Sequence, residues 1–221
     1  MTKPIFFSIL TTLAFSYCAA PENNKIYTFN CYVRFDESQG IEKAECHVFE
    51  GATSNVGVEI PGGIKFQNEP MKAMEIQGVQ YRREFKTSFS TDHKFTWTDK
   101  KNKEYAFNLP LAPLNNFRFE HDTLHRNQAA TFKWDGPSLQ KGESMVLLWE
   151  QEKTAKTVSI ELISQGSESK IEFPAAKLAE LQPGDWSLYI VRKRLVKTTI
   201  NGVSATGISE LYTKSRKIKV L

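Results

Sequence analysis

Residues 26–35, IYTFNCYVRF, alternate: Tyr27, Phe29, Cys31, Val33 and Phe35 fall on one face, and Thr28, Asn30 and Arg34 on the other. A period of two is that of a strand with one face buried; in a helix it would scatter the apolar residues around the axis. Residues 41–49 answer it, with Ala44, Cys46 and Val48 against Lys43, Glu45 and His47. The four residues Glu37-Ser38-Gln39-Gly40 between them make a loop of common hairpin length. If Asp36 faces Ile41, Cys31 falls opposite Cys46 on the apolar face, with Cα atoms about 4.5 to 5.5 Å apart, a separation that a disulfide tolerates. Two reduced, packed thiols are the alternative. Fourteen residues separate the cysteines and His47 lies on the other face, which fits neither a CxxC redox pair nor a zinc set.

The strand pattern continues through residues 56–60, 63–66 and 79–85, and into a second hairpin, 93–98 with 104–109, where Phe95 and Trp97 face Tyr105, Phe107 and Leu109. Fifteen Phe, seven Tyr and four Trp in 221 residues suit many short strands better than long helices, so the fold expected is all-β. Pro110-Leu111-Ala112-Pro113 interrupts the pattern, which suggests a boundary between an N-terminal β domain, 26–112, and a C-terminal one, 114–221. Further runs follow at 130–137, 144–150, 157–163 and 170–173, then a helical turn over 175–181. After it, Leu181, Pro183, Gly184, Trp186, Leu188 and Ile190 make a Leu-x-Pro-Gly corner entering an alternating strand, and Trp134 sits in an earlier one. This stretch resembles bacterial immunoglobulin-like and fibronectin type III domains. The resemblance implies two β-sandwich domains, the C-terminal one immunoglobulin-like, and leaves function open.

The N-terminus gives an address. Residues 5–17 are thirteen in a row without a charge, after Lys3, which is short for a bilayer span of about 20 residues and suits the apolar core of a secretory signal. Cys18 follows at once, and residues 18–25 read as a short polar tether. Here the chain resembles bacterial lipoprotein precursors. The resemblance implies a signal peptide over 1–17, cleavage before Cys18, lipid on that cysteine and a membrane held through it. Ala19 after the cysteine resembles lipoproteins sent on to the outer membrane, facing the periplasm. An ordinary secretory leader cut nearby is the alternative. Either route exposes the chain to an oxidising compartment, so a Cys31–Cys46 disulfide is expected.

A net charge of +4 without a compact basic helix gives no footing for nucleic acid. His121 and His125 stand four apart but lack the Glu of HExxH, and they read as a solvated loop with no metal. No GxSxG setting and no phosphate-cradling glycine loop is present, so neither catalytic residues nor a cofactor are expected. Arg192, Lys193, Arg194, Lys197, Lys214, Arg216, Lys217 and Lys219 place eight cations in 28 residues holding one acid, Glu210. On neighbouring strands they could form an outward stripe for an anionic ligand; a solvated, aggregation-resistant face is the plainer reading. Trp97, Trp134 and Trp186 read as core, and Trp149 is the candidate for stacking on a sugar ring. The function expected is that of a non-catalytic cell-envelope lipoprotein, a binding or assembly module for an envelope protein or glycan. A glycan-binding accessory protein and a small hydrolase are the alternatives.

Overall fold

The structure, a computed structural model, describes residues 27–51, 56–76, 78–151, 153–163 and 166–221. The leader, Cys18 and the tether lie outside the described residues. The first half of the chain forms β1 (Tyr27–Asp36), β2 (Ile41–Glu50), β3 (Ile64–Phe66), β4 (Glu69–Pro70), β5 (Lys72–Glu75), β6 (Val79–Lys86), β7 (Asp92–Thr98) and β8 (Glu104–Pro110). The second half adds β9 (Asn115–Phe119), β10 (Thr123–Leu124), β11 (Ala130–Asp135), β12 (Glu143–Gln151), β13 (Thr157–Leu162), β14 (Lys170–Phe173), helix α1 (Ala175–Leu178), β15 (Gly184–Ile200), β16 (Val203–Tyr212) and β17 (Arg216–Val220). The fold is all-β, and its sheets pack face to face as sandwiches.

β1 and β2 pair in the register read from the sequence, Asp36 with Ile41 and Cys31 with Cys46. The turn is fixed by Asp36, whose carboxylate accepts the Ser38 and Gln39 backbone N–H groups at 3.0 and 3.3 Å, and by Gly40 in the left-handed region at φ 63°. β7 and β8 form the second expected hairpin, with Trp97 opposite Tyr105 and Phe95 opposite Phe107.

Two small sheets, β4-β3-β7-β8 and β14-β11-β9, cover the two ends of one large sheet. The large sheet is continuous because β15 runs for 17 residues. Its first part is flanked by β12 and β17, its last part by β16, and β16 lies parallel to β1 from Thr28↔Ser204 to Asp36↔Tyr212. Between β16 and β17 the register slips by one residue, from Val191↔Tyr212 to Leu188↔Arg216. Thr213 fills the slip: the Ile190 N–H donates to its Oγ1 at 2.9 Å, and its own N–H donates to the Ile190 carbonyl at 3.0 Å.

Each end has a core. Phe29, Cys31, Val33, Cys46, Phe66, Tyr81, Phe95, Phe107 and Leu109 fill the first, where Phe29 stacks on Trp97 with ring centroids 4.0 Å apart. Ala205 also belongs to it, and Val196, Ile200 and Val203 pack against it, so the β15–β16 hairpin closes a core made by the N-terminal strands. Phe117, Phe119, Phe132, Trp134, Leu147, Trp149, Phe173, Trp186, Leu188 and Ile190 belong to the second. Leu181 is fully buried beside it, and Gly184, at φ 141°, starts β15 after the Pro-Gly corner.

Candidate functional site: the outer face of the long sheet

The covered face of β15 takes Trp186, Leu188 and Ile190, and the same parity takes Arg192. Arg192 therefore does not point outward, which corrects its placement in a surface stripe: it is 0% exposed. Its guanidinium donates to Glu143 Oε2 at 2.6 Å, to the carbonyls of Pro113 and Pro137 at 3.0 Å each, and to that of Ser138 at 3.1 Å. Glu143 is buried too, and also accepts the Gln140 N–H at 3.0 Å. Planar donors meeting a carboxylate and three carbonyls form an internal clamp on the segment that joins the two halves.

The other cations of the run divide among several places. Arg194 reaches back to Glu143 Oε1 at 3.4 Å, and Arg216 lies over the Phe117 ring, 5.2 Å from its centroid. Lys214 sits in the register slip, where its backbone N–H donates to Glu37 Oε2 at 3.0 Å. Lys193, Lys197, Lys217 and Lys219 share the uncovered face of the large sheet, Lys217 opposite Ser187 and Lys219 opposite Asp185.

Trp149 is 1% exposed and packs with Phe119 at a centroid distance of 5.8 Å, so it offers no ring to a sugar. Its inward position follows from strand parity, Met145-Leu147-Trp149. Trp97, Trp134 and Trp186 are core residues, as expected. His121 and His125 are both exposed, on either side of the two-residue β10. Among the described residues no group of three or more His, Cys, Asp or Glu is placed to hold a metal. Cys31 and Cys46 are buried thiols with Sγ atoms 3.0 Å apart: the register needed for a bridge is present and the bond is not made. Burial, and then the neighbouring Cys46 sulfur, push the Cys31 thiol well above the ordinary range.

The sequence reading did not single out what the uncovered face carries. Lys193, Glu210 and Arg34 stand opposite one another across β15, β16 and β1. Glu210 Oε2 accepts hydrogen bonds from the hydroxyls of Tyr32 at 2.7 Å and Tyr212 at 3.1 Å. The Arg34 guanidinium lies 3.8 Å from the centre of the Tyr212 ring and donates to Asp36 at 3.4 Å. Burial and the Glu210 carboxylate together hold the Tyr32 and Tyr212 hydroxyls above their usual titration range, so both remain donors. Beside this row run two apolar ones, Val146-Val191-Tyr212 with Leu148-Tyr189 on one side and Leu195-Ile208-Tyr32 on the other. Val191 is only 5% exposed although it lies on the uncovered face, whereas Leu195 is 40% exposed. The acids Glu45, Glu84, Asp36 and Glu210 all have partners within this face, while among the described residues Lys193 and Lys197 pair with no carboxylate. The arrangement is a flat patch of half-buried Tyr, Arg and aliphatic side chains with an unmatched positive rim.

Two shallow depressions are present, the first at the β6–β5 edge of the large sheet beside Glu84. One of about 440 Å³ is lined by Pro70, Lys72, Met74, Arg82, Arg83 and Glu84, and one of about 380 Å³ includes Glu120, Lys133, Glu168, Lys170 and Glu172. The second also takes Ser167 and Thr131, and the Thr131 hydroxyl hydrogen-bonds the Glu120 carboxylate, which in turn pairs with Lys133. A buried pair also went unread: His93 Nδ1–H donates to the Leu109 carbonyl at 3.1 Å, and Nε2 faces Glu42 Oε2 at 3.5 Å. Both side chains lie inside the first core, with Phe66 stacked parallel to the imidazole.

No protein-family model and no curated protein matches the sequence. Among solved structures, murine CEACAM1b aligns at 10% identity and TM-score 0.27, covering 88% of this chain and 100% of that one. The Clostridium thermocellum CbhA fibronectin(III)-like modules align at 7% identity and TM-score 0.25, covering 88% and 95%. The Bacteroides ovatus mixed-linkage glucan utilization locus protein SGBP-B, in complex with a mixed-linkage heptasaccharide, aligns at 13% identity and TM-score 0.22, covering 85% and 60%. At such identities and scores these likenesses carry no argument about this chain.

Proposed function

We propose that this protein is a non-catalytic lipoprotein of a bacterial envelope, attached through Cys18 to the outer membrane and facing the periplasm, which binds or assembles with a partner through the uncovered face of its long sheet. The patch of Tyr32, Arg34, Tyr189, Lys193, Leu195 and Tyr212 carries the binding reading. Tyr and Arg on a rigid support are the side chains that dominate protein contacts, because they bring large area and fixed hydrogen bonds at small entropic cost. A glycan is the second class that tyrosine rings suit, but the Arg34 guanidinium occupies one face of Tyr212, where a pyranose would stack. That favours a polypeptide partner. Export also supports the Cys31–Cys46 bridge, since the paired register needs only the loss of two hydrogens to an oxidising thiol-exchange partner.

The test uses protein taken from its own envelope. A photo-crosslinking residue at Leu195 should trap one discrete polypeptide, at Lys170 on a covering sheet none, and Lys193→Glu should weaken trapping at Leu195. The same material should carry lipid on Cys18 and yield residues 31 and 46 linked in unreduced peptide maps. Trapping at Lys170 and not at Leu195 would move the binding surface off this face. A native chain without lipid that begins after Cys18 would make the protein a secreted one.

A further inference from the structure

A strand with one neighbour offers its unused backbone N–H and C=O groups to another chain, and natural sheets guard such edges with Lys, Pro, bulges or brevity. The edges described here follow that rule except at one place. β4 and β10 are two residues long, β5 and β14 are four and begin with Lys, β8 ends in Pro110, and β9 carries Arg118 and a left-handed Asn116. β13, Thr-Val-Ser-Ile-Glu-Leu, pairs with β12 alone among the described strands, without a register shift, and contains no Lys, Arg, Pro or Gly. Ile163 continues it and is 72% exposed, more than any other large hydrophobic side chain among the described residues.

We propose that two copies of this chain pair antiparallel along β13, about a two-fold axis at Ile160. Parity restricts the choice of register, because only even shifts keep Val158, Ile160 and Leu162, which share β12's covered face, on the core side. Centring on Ile160 sets Val158 opposite the partner subunit's Leu162, Ser159 opposite the partner subunit's Glu161, and Thr157 opposite the partner subunit's Ile163. The exposed Ile163 is thereby covered in both copies. Centring on Glu161 would set two carboxylates face to face, and centring on Ser159 would set Leu162 opposite the partner subunit's Lys156 and Ile163 opposite the partner subunit's Ala155, which at φ 52° lies in the turn and not in the strand. A seven-residue pairing is smaller than the roughly 1,200 Å² or more buried in stable complexes, so the dimer forms and dissociates with concentration. It joins two copies edge to edge and leaves the Tyr and Arg face of each open, so a surface with several partner sites would be held by two copies together.

Sedimentation velocity on the full chain in density-matched detergent, from about 1 μM to about 1 mM, should show conversion from monomer to dimer. Ser159→Glu, which faces the partner subunit's Glu161 at two symmetric positions, should raise the midpoint concentration about five- to tenfold; Ser159→Lys, facing the same carboxylates, should lower it. Ser159 is exposed, so both variants fold. Amides of β13 should exchange more slowly at high concentration in the unaltered chain and less so in Ser159→Glu. A monomer throughout, or a dimer indifferent to both substitutions, would overturn the proposal, and equal weakening by both would overturn the register.

Discussion

A guanidinium with no exposed surface must have its N–H groups met inside the protein, or its burial would cost several kcal/mol. Arg192 meets most of this demand: its two terminal nitrogens donate to Glu143 and to three carbonyls drawn from residues 113, 137 and 138, while its Nε has no partner among the described residues, so it ties the segment entering the second half to β12 and β15. Arg192→Ala leaves the Glu143 carboxylate buried without its main partner, and should cost about 3 to 5 kcal/mol in urea denaturation. Arg192→Lys should recover only part, because an ammonium has three donors and no planar fork. A loss under about 1 kcal/mol from Arg192→Ala would contradict the clamp. The position was legible in the sequence by parity: the series Trp186, Leu188, Ile190 leads directly to Arg192, as Ala44, Cys46 and Val48 lead back to Glu42. Charge alone hid both, since charged side chains are rarely buried unless paired and no pairing across about 50 residues can be read from one strand.

Local elements were the readable ones. The β1–β2 and β7–β8 hairpins follow from alternation and short turns; the register of the first matches the reading to the residue, and in the second the expected faces of Phe95 and Trp97 meet those of Tyr105, Phe107 and Leu109. The β15–β16 hairpin carries an equally local signal, Asn201-Gly202, both at positive φ between the paired Ile200 and Val203. The parallel pairing of β1 with β16 joins residues about 176 apart and has no signature in either strand, since strand alternation does not name its neighbour. What permits this hairpin to lie so close to β8 is Gly207, where a Cβ would meet Phe107 at 2.6 Å and Leu109 at 2.9 Å. Both are buried and packed, so Gly207→Ala should overpack the first core and cost about 1 to 3 kcal/mol by urea denaturation. An unchanged midpoint would mean that the approach is looser than described.

At the scale of the molecule, the candidate binding face belongs to neither half alone. Val146 and Leu148 come from β12 and Tyr189 from the first part of β15, whereas Tyr32 and Arg34 come from β1 and Glu210 and Tyr212 from β16. The tyrosines keep their spacing only while the long hairpin and the Arg192 clamp hold both ends of the sheet as one body, because the sheet's own hydrogen bonds carry the register across the junction. The Pro110–Pro113 segment marks where the chain passes from one covering sheet to the other, and the hairpin then returns to close the first core. Cooperative unfolding of the two ends is therefore the most direct test. Native-state hydrogen exchange in rising urea should follow amides of β7 in the first sandwich and of β11 in the second through one shared opening, with the same free energy and the same denaturant dependence. Two separate openings, with β11 exchanging while β7 stays protected or the reverse, would contradict a single rigid platform.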